Sequence, residues 1–199
     1  MSPSWLGLDP GDGGADERHV EHVVLELVHA LGLDADLVCT HTVAVDGVVR
    51  KVASVRLPGG APALESHALL GDLQARWPGG AILEGSDDEA AVEVGPRPAR
   101  AGARLGVAAA RAGLEGRASR FPGQDALDGP MPVGDVHLIS AIALVEPAVG
   151  NITADTVFDP AGYVRPTFRD GRLVLLVCPG PDGSVVPLDE LENHACAGH

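Results

Sequence analysis

The chain has 199 residues, 45% of them apolar, and a formal net charge of −14. That suits one globular domain, or one with a small appendage, and excludes a chain too polar to build a core. Aromatic residues make up only 3%, so the core has to be Val, Leu, Ala and Ile, and the acidic balance with few stacking rings argues against DNA or RNA as a partner.

Residues 1–15 are rich in Gly, Pro and Asp and read as a leading loop. Within them Trp5-Leu6-Gly7-Leu8-Asp9-Pro10-Gly11 superficially resembles the first strand of RuvC-like nucleases, in which an Asp binds metal. A Gly-rich loop and then a helix follow here in place of a second strand, and no basic nucleic-acid face accompanies the motif, so the loop reading is kept. The first helix is expected over Arg18 to Leu31, with Val20, Val23, Val24, Leu27, Val28 and Leu31 as its core stripe. Asp16 is the expected N-cap and Gly32 the residue just past the end. His19, His22, Glu26 and His29 fall on the opposite stripe, a solvated face whose imidazoles and carboxylate also suit a metal or a pH response.

Leu37 to Val45 and Val48 to Leu57 read as strands joined at Asp46-Gly47, a strong hairpin signal. Alternation puts Leu37, Cys39, His41, Val43 and Val45 on one face, which makes Cys39 and His41 core members with a hydrogen-bonded imidazole. After Pro58-Gly59-Gly60 a helix is expected over about Pro62 to Trp77, with Leu69, Leu70, Leu73 and Trp77 buried. Ala81 to Glu84 and Ala90 to Val94 are short strands around the acidic turn Ser86-Asp87-Asp88-Glu89.

A third helix runs from about Pro98 to Ala112, its Ala and Gly content suited to close packing. Six arginines and a single acid lie between Arg97 and Arg120. Arg97, Arg100, Arg104 and Arg111 are the candidate anion- or partner-binding residues, either receiving phosphate or carboxylate or pairing with the protein's own acidic surface. Residues 113–135 read as a Gly/Pro-rich connection between an N-terminal α+β part, 1–112, and a β-rich C-terminal part, 136–199, the two packed as one compact domain.

In the C-terminal part, Val136 to Val145 is a near-continuous apolar run expected to be a central strand. Thr153 to Phe158, Tyr163 to Phe168 and Arg172 to Val177 follow as strands, with Asp170-Gly171 as a second hairpin turn. Pro179-Gly180-Pro181-Asp182-Gly183 then turns into Val185-Val186, and a short helical turn is expected over Leu188 to Asn193. Cys178, His194, Cys196 and His199 are the candidate metal ligands, a soft and borderline set suited to zinc.

Three cysteines are too few for a disulfide framework, no leader peptide opens the chain and no apolar run is long enough to span a bilayer, so a cytoplasmic protein with no membrane partner is expected. One lysine, Lys51, against thirteen arginines points to a GC-rich bacterial genome. The fold expected is α+β: a mainly antiparallel sheet with about three helices on one side. No complete catalytic motif is present, which leaves catalysis open. The leading functional reading is a non-enzymatic accessory or assembly protein acting through contacts with a protein partner or in a homo-oligomer. A zinc-dependent enzyme and a small-anion binder using the Arg97–Arg120 stretch are the alternatives.

Overall fold

Ser4–Asp9, placed by its composition in a leading loop, is instead strand β1, buried at all six positions. The computed structural model describes residues 3–11, 16–59, 63–85 and 91–188. The chain divides into two compact units, residues 1–116 and 117–199. In the first, β1 is followed by α1 (Glu17–Ala30), β2 (Leu37–Val45), β3 (Val48–Leu57), α2 (Ala63–Arg76), β4 (Gly80–Glu84), β5 (Val92–Val94) and α3 (Arg97–Ala112).

The five strands of this unit lie in the order β5-β4-β1-β3-β2, and every neighbour pairs antiparallel. Through β4 this is the split β-α-β arrangement. β1 sits in the middle because β3 pairs with it along one edge, Gly7 opposite Ser54, and β4 along the other, Gly7 opposite Ile82. Its hydrogen bonds therefore come from residues more than forty positions away, which the local Pro and Gly content conceals. The β2–β3 hairpin turns where expected, with Asp46 and Gly47 both at positive φ (50° and 79°), as a two-residue hairpin loop demands. α1 is capped at its start by Asp16, whose carboxylate accepts from the His19 amide at 3.0 Å.

The helices do not share one side of the sheet, and this corrects the one-sided layer expected from the sequence. Leu6 and Leu8 of β1 join Val20, Val24, Leu27 and Val28 of α1 and Leu73 of α2, with Trp77 just beyond it, in one buried cluster. The intervening residue Gly7 faces the other way, toward Ala103 and Val107 of α3. α3 buries Ala99, Gly102, Ala103, Gly106, Val107 and Ala110 on that second face. Alternate residues of one strand thus feed two apolar layers, so β1 is buried throughout rather than at every second position.

The second unit holds β6 (Arg117–Arg120), β7 (Met131–Pro132), α4 (Val133–Ile139), β8 (Ile142–Pro147), β9 (Val157–Phe158), β10 (Thr167–Arg169), β11 (Arg172–Pro179) and β12 (Val185–Pro187). β11 is its axis. Along one edge it pairs antiparallel with β10 and then with β12, and along the other it runs parallel to β8. The Asp170-Gly171 turn is as expected, again with positive φ at both residues (49° and 77°). The apolar run 136–145 is not one strand: α4 ends at Ile139, and the Ser140 hydroxyl donates to the Val136 carbonyl at 2.7 Å before β8 begins. A run of apolar residues carries no periodicity to tell buried helix from buried strand. The strands expected over 153–158 and 163–168 shrink to Val157–Phe158 and Thr167–Arg169. Both units combine helices with a sheet that is mainly antiparallel, the α+β class.

Candidate functional site: the arginine stripe of α3

On α3, Arg97, Arg100, Arg104 and Arg111 are spaced by three, four and seven residues, one stripe along a flank of the helix beside its buried face. What faces them is acidic. Arg100 Nη1 lies 3.2 Å from Glu93 Oε2, and Arg104 reaches the same carboxylate through Oε1. Arg111 Nη1 lies 3.0 Å from Glu84 Oε2. Glu93 belongs to β5 and Glu84 to β4, so the sheet edge presents its carboxylates to the helix. The Val92-Glu93-Val94 alternation was the one sequence signal that could have placed Glu93 on that face. Partly exposed pairs of this kind contribute little each, about 0–1 kcal/mol. What they do is fix the guanidinium groups in place.

Arg97 differs from the other three. It is exposed and has no ion pair among the described residues. Together with Glu93, Arg100, Ala101 and Arg104 it lines an open groove of about 250 Å³. The first turn of α3 contains no acidic residue, and its cap, Pro96, offers no side-chain acceptor. Among the described residues the groove therefore brings three guanidinium groups against one carboxylate in a strongly acidic chain.

The reactive side chains beneath α3 are arranged for structure. His41, Cys39 and Ser54 are buried on one sheet face. His41 Nδ1 lies 2.7 Å from the Glu115 carbonyl, which can only accept, so Nδ1 carries the proton and Nε2 accepts from the Ser54 hydroxyl at 2.8 Å. Burial pushes the Cys39 thiol up to about 12, away from thiolate chemistry. The polar layer continues at Asp9. Arg50 Nη1 donates to its Oδ1 and Oδ2 at 3.1 and 3.2 Å, and the Gly11 amide to Oδ1 at 2.7 Å. The carboxylate that the nuclease resemblance would offer to a metal is thus buried and salt-bridged.

Burial lowers the pKa of His41 from its ordinary 6.5, against the raising effects of the Glu115 hydrogen bond and the charge of Glu17. The unfolded chain then binds a proton on this ring more readily than the folded one. The stability contributed by the neutral ring is complete above pH 6.5 and is lost as the pH falls below it. His41→Gln should cost about 1–3 kcal/mol at neutral pH, because the hydroxyl and carbonyl lose their partner. Its urea midpoint should also fall less than that of the natural protein between pH 6.5 and about 5. Equal slopes for the two proteins would contradict the assignment.

The candidate metal sets fare differently. His19, His22, Glu26 and His29 are all exposed, and only His22 and Glu26 pair, at 3.3 Å. Among the described residues no three of His, Cys, Asp or Glu come together as a set able to hold a metal ion. Cys178 is buried in β11, its thiol 3.7 Å from the Val186 carbonyl. His194, Cys196 and His199 lie outside the described residues, as do the turn Ser86-Asp87-Asp88-Glu89 and nearly all of the helical turn expected at Leu188 to Asn193. No described helix is long and apolar enough to cross a membrane. No family model, curated protein or solved structure matches the chain.

Proposed function

We propose that the chain is a non-catalytic accessory or assembly protein of the cytoplasm, working through protein–protein contacts, and that its second unit makes the contact. The observation that carries this reading is Leu138, 73% exposed on α4. Ile139 beside it and Leu144 on the adjoining β8 are also exposed, at 41% and 42%. α4 has seven residues and buries only Val136. A helix that short does not hold itself, and Leu138 leaves most of its surface outside the protein's own packing. Covered by a partner, each such side chain would contribute on the order of 1.5–3 kcal/mol. Apolar side chains gathered in one small region are the usual mark of an interaction surface. The acidic balance, −14 overall, favours a protein over a nucleic acid as that partner.

The test is Leu138→Asp in the full chain, followed by sedimentation across a range of concentrations. The natural protein should associate and the variant should not, while thermal unfolding is unchanged because position 138 is outside the core. Equal association of both proteins would refute the surface. So would a natural protein that stays monomeric and also gives no crosslink from a photoreactive group at position 138 in its own cells.

A further inference from the structure

The groove beside α3 carries a second assignment, independent of the contact surface on α4. We propose that Arg97, Arg100 and Arg104 form a binding site for a small doubly charged oxyanion of the phosphate class, and that Glu93 is its built-in competitor. Among the described residues, three guanidinium groups against one carboxylate leave two positive charges at a groove in a chain whose net charge is −14. Such an excess, held in place on a rigid helix, matches a dianion better than a carboxylate. The single charge of a carboxylate is already supplied by Glu93, which holds both Arg100 and Arg104.

The donors are suited to the ligand. Guanidinium forks present paired N–H groups to oxyanions, and Arg97 has its full set unspent on any carboxylate among the described residues. Arg100 Nε is buried and makes no hydrogen bond among the described residues. The volume, about 250 Å³ and open to solvent, admits a phosphate group with the rest of a larger molecule projecting outward. The positive end of α3 adds to the same field, with no acidic residue in the first turn to cancel it.

Glu93 gives the site its signature. A bound dianion shares Arg100 and Arg104 with the carboxylate and is repelled by it. Removing that charge should tighten binding, while removing Glu84, which holds Arg111 outside the groove, should not.

The experiment is titration of the full chain with inorganic phosphate at constant ionic strength, followed by calorimetry and by the phosphorus resonance, with acetate and chloride as comparison anions. Phosphate should bind one per chain and acetate not measurably. Arg97→Ala, an exposed position whose loss leaves the fold intact, should weaken binding by about tenfold, as expected for one charge-assisted contact. Glu93→Gln should tighten it by about tenfold, the effect of deleting one like charge a few ångströms away in a half-solvated site. Glu84→Gln should leave it unchanged. Tryptophan fluorescence checks that each variant is folded. Phosphate binding no better than acetate, or unaffected by Arg97→Ala, overturns the site. Binding that Glu93→Gln fails to tighten in a folded variant overturns the competitor. A phosphate ester that binds more tightly than the inorganic ion, with the same dependence on Arg97 and Glu93, identifies the group as part of a larger ligand.

Discussion

Asp9→Ala should destabilise the first unit by about 3–5 kcal/mol, the cost of leaving one member of a buried ion pair alone. Asp9 is buried at the end of β1, and Arg50, on β3, is nearly so. The carboxylate accepts from Arg50 and from the Gly11 amide, and the Asp9 carbonyl accepts from Trp77 Nε1 at 3.0 Å. Removing the carboxylate strands a guanidinium whose Nε is already buried without a partner among the described residues. It also releases the turn after β1. Attraction between the two charges is not what makes the loss large, since burying a pair costs nearly as much desolvation as the attraction returns. The uncompensated charge left behind is. The double variant Asp9→Leu with Arg50→Met should therefore be far more stable than Asp9→Ala alone. Both tryptophans of the chain, Trp5 and Trp77, lie in this unit, so urea unfolding followed by their fluorescence reads it directly. A single variant within about 1 kcal/mol of the natural protein would mean the pair is not buried as described.

That pair also marks the limit of what the sequence made legible. Asp9 and Arg50 are 41 positions apart, and no local pattern links them. Features encoded within a few residues were readable: the Asp16 cap, the valine and leucine stripe of α1, the turn at Asp46-Gly47, the arginine stripe of α3. β1 was not, because between Pro3 and Pro10 it offers six residues interrupted by Gly7, and its strand character comes from two neighbours and two covering layers. α4 was misread because Val133–Ile139 gives no contrast between 3.6-residue and two-residue periods, and short apolar runs are ambiguous on pattern alone. At the candidate site the guanidinium groups were legible, while the carboxylates that hold them were not. Glu84 is 27 residues from Arg111, and only the pairing of β4 with β5 brings both acids to the helix.

Gly7→Ala should cost upwards of about 3 kcal/mol, at the top of the range for an overpacked core. Gly7 is where α3 rests on the centre of the sheet. A methyl group there would stand 2.4 Å from the Ala103 carbonyl oxygen, 2.8 Å from Ile82 Cγ2 and 2.9 Å from Val107 Cγ2. The nearest of these is backbone, held within the hydrogen bonding of α3, so no rotamer change relieves it. The helix has to lift or the strand has to bend, and β1 is paired on both edges. Val107→Ala in the same chain should restore only part of the loss, because it leaves the carbonyl in place. Gly59→Ala is the matched control: among the described residues nothing lies within 4 Å of the added atom, and its φ is ordinary. It should be neutral or stabilising by up to about 1 kcal/mol. The functional consequence follows from the same contact. Arg100 and Arg104 reach Glu93 only because α3 lies close against the sheet, and Gly102, where an added Cβ would collide with Asp9 Oδ2, is part of the same close contact. A Gly7→Ala protein that still folds in the cold should thus have lost phosphate affinity together with thermal stability. Full phosphate binding in a protein melting more than about 10 °C low would show that the groove does not depend on how α3 is seated.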